Sequence, residues 1–251
     1  MSGLRTVVVG ASSGLGRCIA TGLGQRGATV ALLARRLDRL ERAAEEAGNG
    51  SVPIECDVCK PESVDAAIEA AAQHLGGIDG LVYATGMAEL DKLVDHDVAQ
   101  WHRAFDTNVL GAWSVTKAAI PHLAKSQGAA AFLSSVGASV TPPWPGLGSY
   151  AVTKAALDKL VEAFRAEHPQ IGFTRVVVGD CSGGDGESLT GFADGWDRDA
   201  AAELVTEWYT RKYIAGSLMD VSELVAVIDT VLHAGASACI QSVTVAPRPP
   251  A

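Results

Sequence analysis

The sequence predicts a doubly wound α/β fold: a seven-stranded parallel sheet with helices on both faces. Three observations predict it. Apolar runs alternate with amphipathic helical stretches from end to end. Most of those runs are continuous rather than alternating, as expected for strands covered on both sides. The first run, Val7-Val8-Val9, passes straight into the glycine-rich turn Gly10-Ala11-Ser12-Ser13-Gly14-Leu15-Gly16. Repetition of strand and helix implies parallel strands joined by right-handed crossovers. At 251 residues the chain reads as one domain, 1–251. Such a chain buries about 70–75% of its unfolded surface without disulfides or metals.

Strands are expected at 4–9, 28–34, 52–56, 79–84, 129–134, 172–178 and 239–245, with helices between them. Gly48 suits the end of the second helix. The third helix has Pro61 near its first turn and Val64, Ala67, Ile68, Ala71 and Leu75 on one face. Residues 149–167 form another helix. In the last helix Asp220 and Glu223 resemble a capping box ahead of an apolar face of Leu224, Val225, Ile228, Val231 and Leu232. The rhythm breaks at 180–219, a Gly- and Asp-rich stretch with Phe192, Trp196, Trp208, Tyr209 and Tyr213. A long insertion after the C-terminal end of a strand lies where such sheets bind ligands, so this stretch is expected to be a substrate lid.

Composition narrows the function classes. Hydrophobic residues make up 48%, which excludes a disordered chain. A net charge of −9 argues against nucleic acid or an anionic membrane as the main partner. No apolar run approaches the ~20 residues that span a bilayer, and the run from Thr6 to Val9 is too short for a signal peptide. A cytoplasmic location is therefore expected, with a small molecule as partner. Cys18, Cys56, Cys59, Cys181 and Cys239 are scattered and expected to be reduced thiols. Cys56-Asp57-Val58-Cys59 has CxxC form but no second ligand pair, so no metal is expected.

The turn at 10–16 is suited to a dinucleotide. Gly10 permits the tight turn, Gly14 lets backbone approach a phosphate, and Gly16 lets the helix pack on the sheet. Ser12, Ser13 and Leu15 lie in the same loop, at the positive end of the helix dipole. The second strand ends at Ala34, where an NAD site usually carries an acid for the ribose 2′-hydroxyl. Arg35 and Arg36 follow instead, and guanidinium forks suit a 2′-phosphate. NADP is therefore expected over NAD. Asp57, with the Val58 backbone, is placed to receive an adenine amino group.

Tyr150 and Lys154 are four residues apart on one helical face. An ammonium beside a phenol stabilises the phenolate, so the pair suits proton exchange with an alcohol or carbonyl. Ser134-Ser135 ends the fifth strand at the ligand edge, where a hydroxyl can hold a substrate oxygen against Tyr150. Asn108 falls inside a helix, where Asn is a poor former. A buried amide there suggests a job such as holding water in a relay to Lys154.

Together these residues resemble the short-chain dehydrogenase/reductase family, over essentially the whole chain. The motifs that carry the resemblance are the loop at 10–16, Asp57-Val58, Asn108, Ser135 and Tyr150-Ala151-Val152-Thr153-Lys154. The resemblance implies a Rossmann-type sheet and hydride exchange between a nicotinamide and a carbonyl or alcohol carbon. It implies Tyr150 as general acid/base and Ser135, rather than Ser134, as the group that positions substrate oxygen. Lys154 would lower the Tyr150 pKa and bind the nicotinamide ribose, and Asn108 would complete a proton relay. It further implies a homotetramer or homodimer paired through the helices containing Asn108 and Tyr150. Two segments depart from the family pattern. The fourth strand usually ends Asn-Asn-Ala-Gly and here reads Tyr83-Ala84-Thr85-Gly86, keeping only Gly86 for the cofactor site. The sixth usually runs into Pro-Gly and here runs into Gly179-Asp180. The interval from Ser135 to Tyr150 is also longer than usual, through Pro142-Pro143-Trp144-Pro145, expected to be a stiff pocket wall.

Between Asp180 and Tyr209 stand eight acids (Asp180, Asp185, Glu187, Asp194, Asp197, Asp199, Glu203, Glu207) against Arg198 alone. Such a field repels anionic substrates, which favours a small neutral carbonyl or alcohol; a solvated helix face is the competing reading. The leading expectation is an NADP(H)-dependent oxidoreductase. The alternative is a non-catalytic NADP-binding redox sensor or scaffold on the same fold. Epimerase or dehydratase chemistry fits less well, since no length remains for a separate sugar-nucleotide domain.

Overall fold

The computed structural model describes residues 3–184, 186, 192–193, 195–214, 216–234 and 237–248. They form a seven-stranded sheet in which every pairing is parallel, in the order β3-β2-β1-β4-β5-β6-β7. The strands are β1 (Arg5–Val9), β2 (Thr29–Ala34), β3 (Val52–Glu55), β4 (Gly80–Tyr83), β5 (Ala129–Ser135), β6 (Gly172–Val178) and β7 (Ser242–Val245). One helical layer holds α1 (Gly14–Gln25), α2 (Leu37–Ala47) and α9 (Val221–Leu232). The opposite layer holds α3 (Pro61–Leu75), α5 (Gly111–Ser126) and α7 (Gly148–Glu167). Strand side chains alternate between the layers: Val7 and Val9 pack on α3 and α5, Val8 on α1 and α9. This explains the continuous apolar runs. The chain reverses its winding between β1 and β4, and the crevice at their C-terminal ends is where such a sheet takes ligands.

Three connections differ from expectation. α4 (Val98–Phe105) begins with a full capping box between Asp97 and Gln100, in a stretch where no helix start had been read. In α9, Asp220 caps through Ser222 N (2.8 Å), without the reciprocal Glu223 bond of a box. Asn108 does not sit in an α-helix. α4 passes into α5 through a π-helical turn, Asp106–Leu110, so one residue is accommodated beyond the α repeat. Such bulges open the backbone ladder and are frequent at functional sites.

The irregular stretch after β6 contains α8 (Arg198–Thr210), capped by Asp197, whose carboxylate accepts from Asp199 N and Ala200 N. A short helix, α6 (Val136–Ser139), follows β5.

Candidate active site

The cofactor end is built on the β1–α1 junction. Gly10 has φ +90°, and a Cβ there would lie 2.8 Å from Thr85 N. A Cβ on Gly16 would overlap the Gly10 carbonyl oxygen. The turn is tied to β2 by Gly10 N donating to Leu33 O at 2.8 Å. Ser13 holds the N-cap position with extended backbone, yet its side chain makes no cap bond. The first N–H groups of α1 therefore lack intrahelical partners and face the crevice with the positive end of the dipole.

Arg36 donates from Nη2 to Ser12 Oγ (2.9 Å) and Ser13 Oγ (2.7 Å), and Arg35 is exposed beside it. Both arginines line the same cavity as the glycine loop. Asp57 and Val58 line it too, at the far edge. The Asp57 carboxylate accepts from Cys59 N (3.1 Å) and faces Lys60 at 3.7 Å, so it also holds the turn ahead of α3. Cys56 is buried and Cys59 exposed, and the described residues contain no cluster able to hold a metal.

The cavity measures about 1060 Å³ and runs without interruption from Arg35 to Tyr150, Ser135, Lys154 and Gly86. That is at the upper end of the ~300–1,000 Å³ common for ligand pockets, as needed for a dinucleotide with a second small molecule. The residues present thus fit a dinucleotide: an open glycine cradle, an uncapped helix N-terminus and adjacent guanidinium groups.

At the other end, Tyr150 and Lys154 project from α7 as expected. The Ser135 hydroxyl stands close enough to the Tyr150 phenol to lower its pKa, and it accepts from Gly137 N (3.3 Å) at the start of α6. Ser134 is buried toward α7. Lys154 Nζ lies 5.6 Å from the Tyr150 ring centroid but donates to the Leu133 carbonyl at 2.8 Å. The expected lowering of the Tyr150 pKa by Lys154 is therefore not present in this geometry. Burial pushes the phenol up to about 12, with Ser135 opposing it. Burial also pushes Lys154 down to about 8, with Asp158 opposing.

Asn108 is fully buried and its amide is committed to protein groups. Met87 N donates to Oδ1, and Nδ2 donates to Met87 O and to Thr153 Oγ1, each at 2.9 Å. These bonds make the side chain a clamp joining the π turn, the segment after β4, and α7. The departure at Tyr83 has a matching role. Its fully buried phenol donates to Thr107 O at 2.6 Å, anchoring the same π turn from the sheet. Sequence reading flagged Tyr83 as a departure without finding this partner, because nothing local pairs the two.

The substrate end is a wall of aromatic rings. Phe192 packs edge-on against Tyr150 at 5.1 Å between centroids. Phe192 meets Trp196 at 5.5 Å, and Trp196 meets Trp208 at 6.3 Å. Trp208 in turn meets Trp144 at 5.2 Å. Two indole N–H groups fasten this wall to the body: Trp196 Nε1 to Ala88 O (3.0 Å) and Trp208 Nε1 to Pro145 O (2.8 Å). Of the proline-rich insert Pro142-Pro143-Trp144-Pro145, Trp144 lines the cavity. Of the eight lid acids, Asp180 lines the cavity. Asp197, Asp199 and Glu203 are exposed, and Glu207 pairs with Arg211. Asp185, Glu187 and Asp194 lie outside the described residues. The described acids other than Asp180 are accounted for by a solvated helix face rather than an acidic pocket. Gly179 is required where it stands, since a Cβ would lie 2.8 Å from Ala246 Cβ.

Residues 5–184 match the family model described as short chain dehydrogenase. An uncharacterised oxidoreductase of Staphylococcus epidermidis is 34% identical over 167 residues, spanning 66% of this chain and 72% of that protein. An alcohol dehydrogenase from the archaeon Thermococcus sibiricus, solved with 5-hydroxy-NADP, has a TM-score of 0.78 and 25% identity, over 96% of this chain and 94% of that one. A 3-ketoacyl-(acyl-carrier-protein) reductase from Brucella melitensis, solved with NADH, shares the fold with a TM-score of 0.80. At 23% identity, over 98% of this chain and 97% of that one, the likeness is one of fold alone.

Proposed function

The chain belongs to the short-chain dehydrogenase family, and from that premise we propose an NADP(H)-dependent oxidoreductase acting on a small, neutral, largely apolar carbonyl or alcohol. One observation carries the reading: a single cavity joins the glycine cradle, the two arginines, the Ser135–Tyr150–Lys154 group and the aromatic wall. Nicotinamide dinucleotides occur in solved relatives in both phosphorylated and unphosphorylated forms, so the preference for NADP rests on Arg35 and Arg36.

Gly10, Ser12, Ser13, Gly14, Leu15 and Gly16 would hold the phosphates, Arg35 and Arg36 the 2′-phosphate, Asp57 and Val58 the adenine, and Gly86 and Lys154 the nicotinamide half. When bound, the dinucleotide supplies hydride to a carbonyl carbon or accepts it from an alcohol carbon. Ser135 holds the substrate oxygen by a hydrogen bond. Tyr150 donates its phenolic proton to that oxygen in reduction and takes it back in oxidation. The described part of the 180–219 segment would act as a lid, with Phe192 and Trp144 excluding water around the reacting oxygen. A phenol raised by burial stays protonated through neutrality, so in the cofactor-free protein Tyr150 stands as a proton donor and not as a base. The non-catalytic alternative is not favoured, because Ser135, Tyr150 and Lys154 stand together on the cavity wall.

Replacing both arginines tests the cofactor assignment. Arg35→Ala/Arg36→Ala is expected to weaken NADPH binding about 10- to 100-fold, the worth of lost charge-assisted hydrogen bonds. NADH binding should be unchanged. Titration calorimetry with both cofactors decides it; wild-type protein that binds NADH as tightly as NADPH refutes the assignment.

Assembly is proposed through α5 and α7, as the family pairing implies. Leu110 at the end of the π turn, Trp113 on α5 and Val152 on α7 are large apolar side chains left exposed, and Lys117 Nζ sits 5.3 Å above the Trp113 ring. Trp113→Glu is expected to convert the assembled protein to smaller species in light scattering after size exclusion. A monomeric wild type removes the proposal. No helix among the described residues is long and apolar enough to cross a membrane.

A further inference from the structure

A second ionisable group lies one helical turn beyond Lys154, outside the cavity. Asp158 is on α7 and only 5% exposed. Arg175 from β6 faces it, with Nη1 3.4 Å from Oδ2. Burial raises the Asp158 pKa; Ser134 from β5 lies close enough to oppose that rise, as Arg175 and Lys154 do, but its Oγ falls short of hydrogen-bond geometry. Asp158 Oδ1 has no hydrogen-bond partner among the described residues. Arg175 spends its Nε on Ser242 Oγ at 3.2 Å. Glu162, also near Arg175, is on the exposed side and pairs with Lys159.

A buried carboxylate left half-bonded needs a reason. Arg175 does not consume it: the contact is long, and one oxygen remains free. Lys154 supplies the reason. Its ammonium is 3% exposed, and its hydrogen bond runs to one neutral acceptor, the Leu133 carbonyl. Its other neighbours are the Tyr150 ring and the Gly86 backbone, where a Cβ would sit 3.2 Å from Nζ. Neither carries a negative charge. Burying an ammonium among neutral groups drives it to lose its proton. Among the described residues, the one anion acting on Lys154 is Asp158, which raises its pKa against burial.

We infer that Asp158 is a positioning residue, which acts from beneath α7 through Lys154 to keep that ammonium charged at the Tyr150 end of the cavity. Arg175 anchors the carboxylate from the sheet without neutralising it fully. The inference rests on the proposed reaction only for its catalytic consequence; the electrostatic coupling stands on the chain's own residues.

The test is a pH titration of Lys154 by carbon NMR of its ε-methylene in cofactor-free, full-length protein, assigned with Lys154→Arg. The wild-type midpoint is expected at about 8. In Asp158→Asn it should fall by about one unit, the lower end of what a near opposite charge contributes; Asp158→Glu should restore it. Arg175→Gln removes a competing cation and should raise the midpoint. A folded Asp158→Asn protein with an unmoved Lys154 midpoint overturns the inference. Should Asp158→Asn not fold, an unmoved or lowered midpoint in Arg175→Gln overturns it instead. In turnover, the high-pH limb of kcat/KM for reduction should move down with the Lys154 midpoint in Asp158→Asn. Wild-type protein that turns over no carbonyl would sink the reductase reading, while the NMR titration would still decide the role of Asp158.

Discussion

Tyr150→Phe is expected to lower kcat for carbonyl reduction by ~10²–10⁴-fold, the usual contribution of a positioned acid, with NADPH affinity unchanged. The substitution removes one oxygen. The ring keeps its edge-on contact with Phe192 and its place on α7, so the substrate wall should survive. What disappears is the proton donor beside Ser135. Cofactor binding depends on the other end of the cavity, on the 10–16 loop and the arginines, and should not respond. NADPH consumption with an uncharged aryl ketone, set beside calorimetric NADPH binding, separates the two effects. A variant that binds NADPH but reduces the ketone at the wild-type rate would remove Tyr150 from the chemistry.

The second large effect is expected at Gly16. Helix propensity alone favours Gly16→Ala by about 1 kcal/mol. Against that, the new methyl group would overlap the Gly10 carbonyl oxygen, with Gly10 carbon 2.8 Å away. Overpacking costs about 1–3 kcal/mol, and the contact is with backbone, which cannot rotate aside. The clash wins. Relief requires the β1–α1 turn to open, which moves the unpaired N–H groups of α1 off the phosphates. Each charge-assisted bond lost is worth about 1.5–3 kcal/mol, so two lost bonds raise the NADPH dissociation constant at least ~100-fold. Circular dichroism should show the fold retained. Wild-type affinity in a folded Gly16→Ala protein would mean that the dinucleotide does not use this turn.

The sheet was legible because burial on both faces leaves a one-dimensional signature. Val7-Val8-Val9 and Val30-Ala31-Leu32-Leu33 cannot alternate when each face needs an apolar residue. The glycine cradle and the Tyr150/Lys154 pair were legible for the same reason: their geometry is set by short spacing within one turn or one helix. What escaped depends on partners far apart in the chain. Tyr83 donates to a carbonyl at Thr107, and Asn108 bonds to Met87 and Thr153. Only the packed structure joins them. The π turn was invisible because residue types at Asp106–Leu110 do not reveal whether a backbone N–H reaches back four residues or five. Lid helix α8 was weighed only as a solvated helix face, because it buries little of its apolar content, Leu204 and Trp208 alone. The Phe192–Trp196–Trp208–Trp144 chain could be read as residue types but not as contacts. Ionisation was least legible of all. A lysine near a tyrosine on paper lowers the phenol pKa, yet here burial outweighs it and Lys154 bonds to Leu133 instead.

That inversion poses the sharpest question about this protein, because a phenol near 12 is a poor base at neutral pH. If Tyr150 exchanges protons with substrate, filling the cavity must make it more acidic. The oxidised nicotinamide is cationic, and a cation beside the phenol favours phenolate by about 1–3 units. Ultraviolet difference titration, with Tyr150→Phe subtracted, reads the Tyr150 phenol directly. Without cofactor its midpoint should lie at about 12; with saturating NADP it should fall by about 2 units. A midpoint that stays near its cofactor-free value in the saturated protein would contradict the assignment of Tyr150 as the proton-exchanging group.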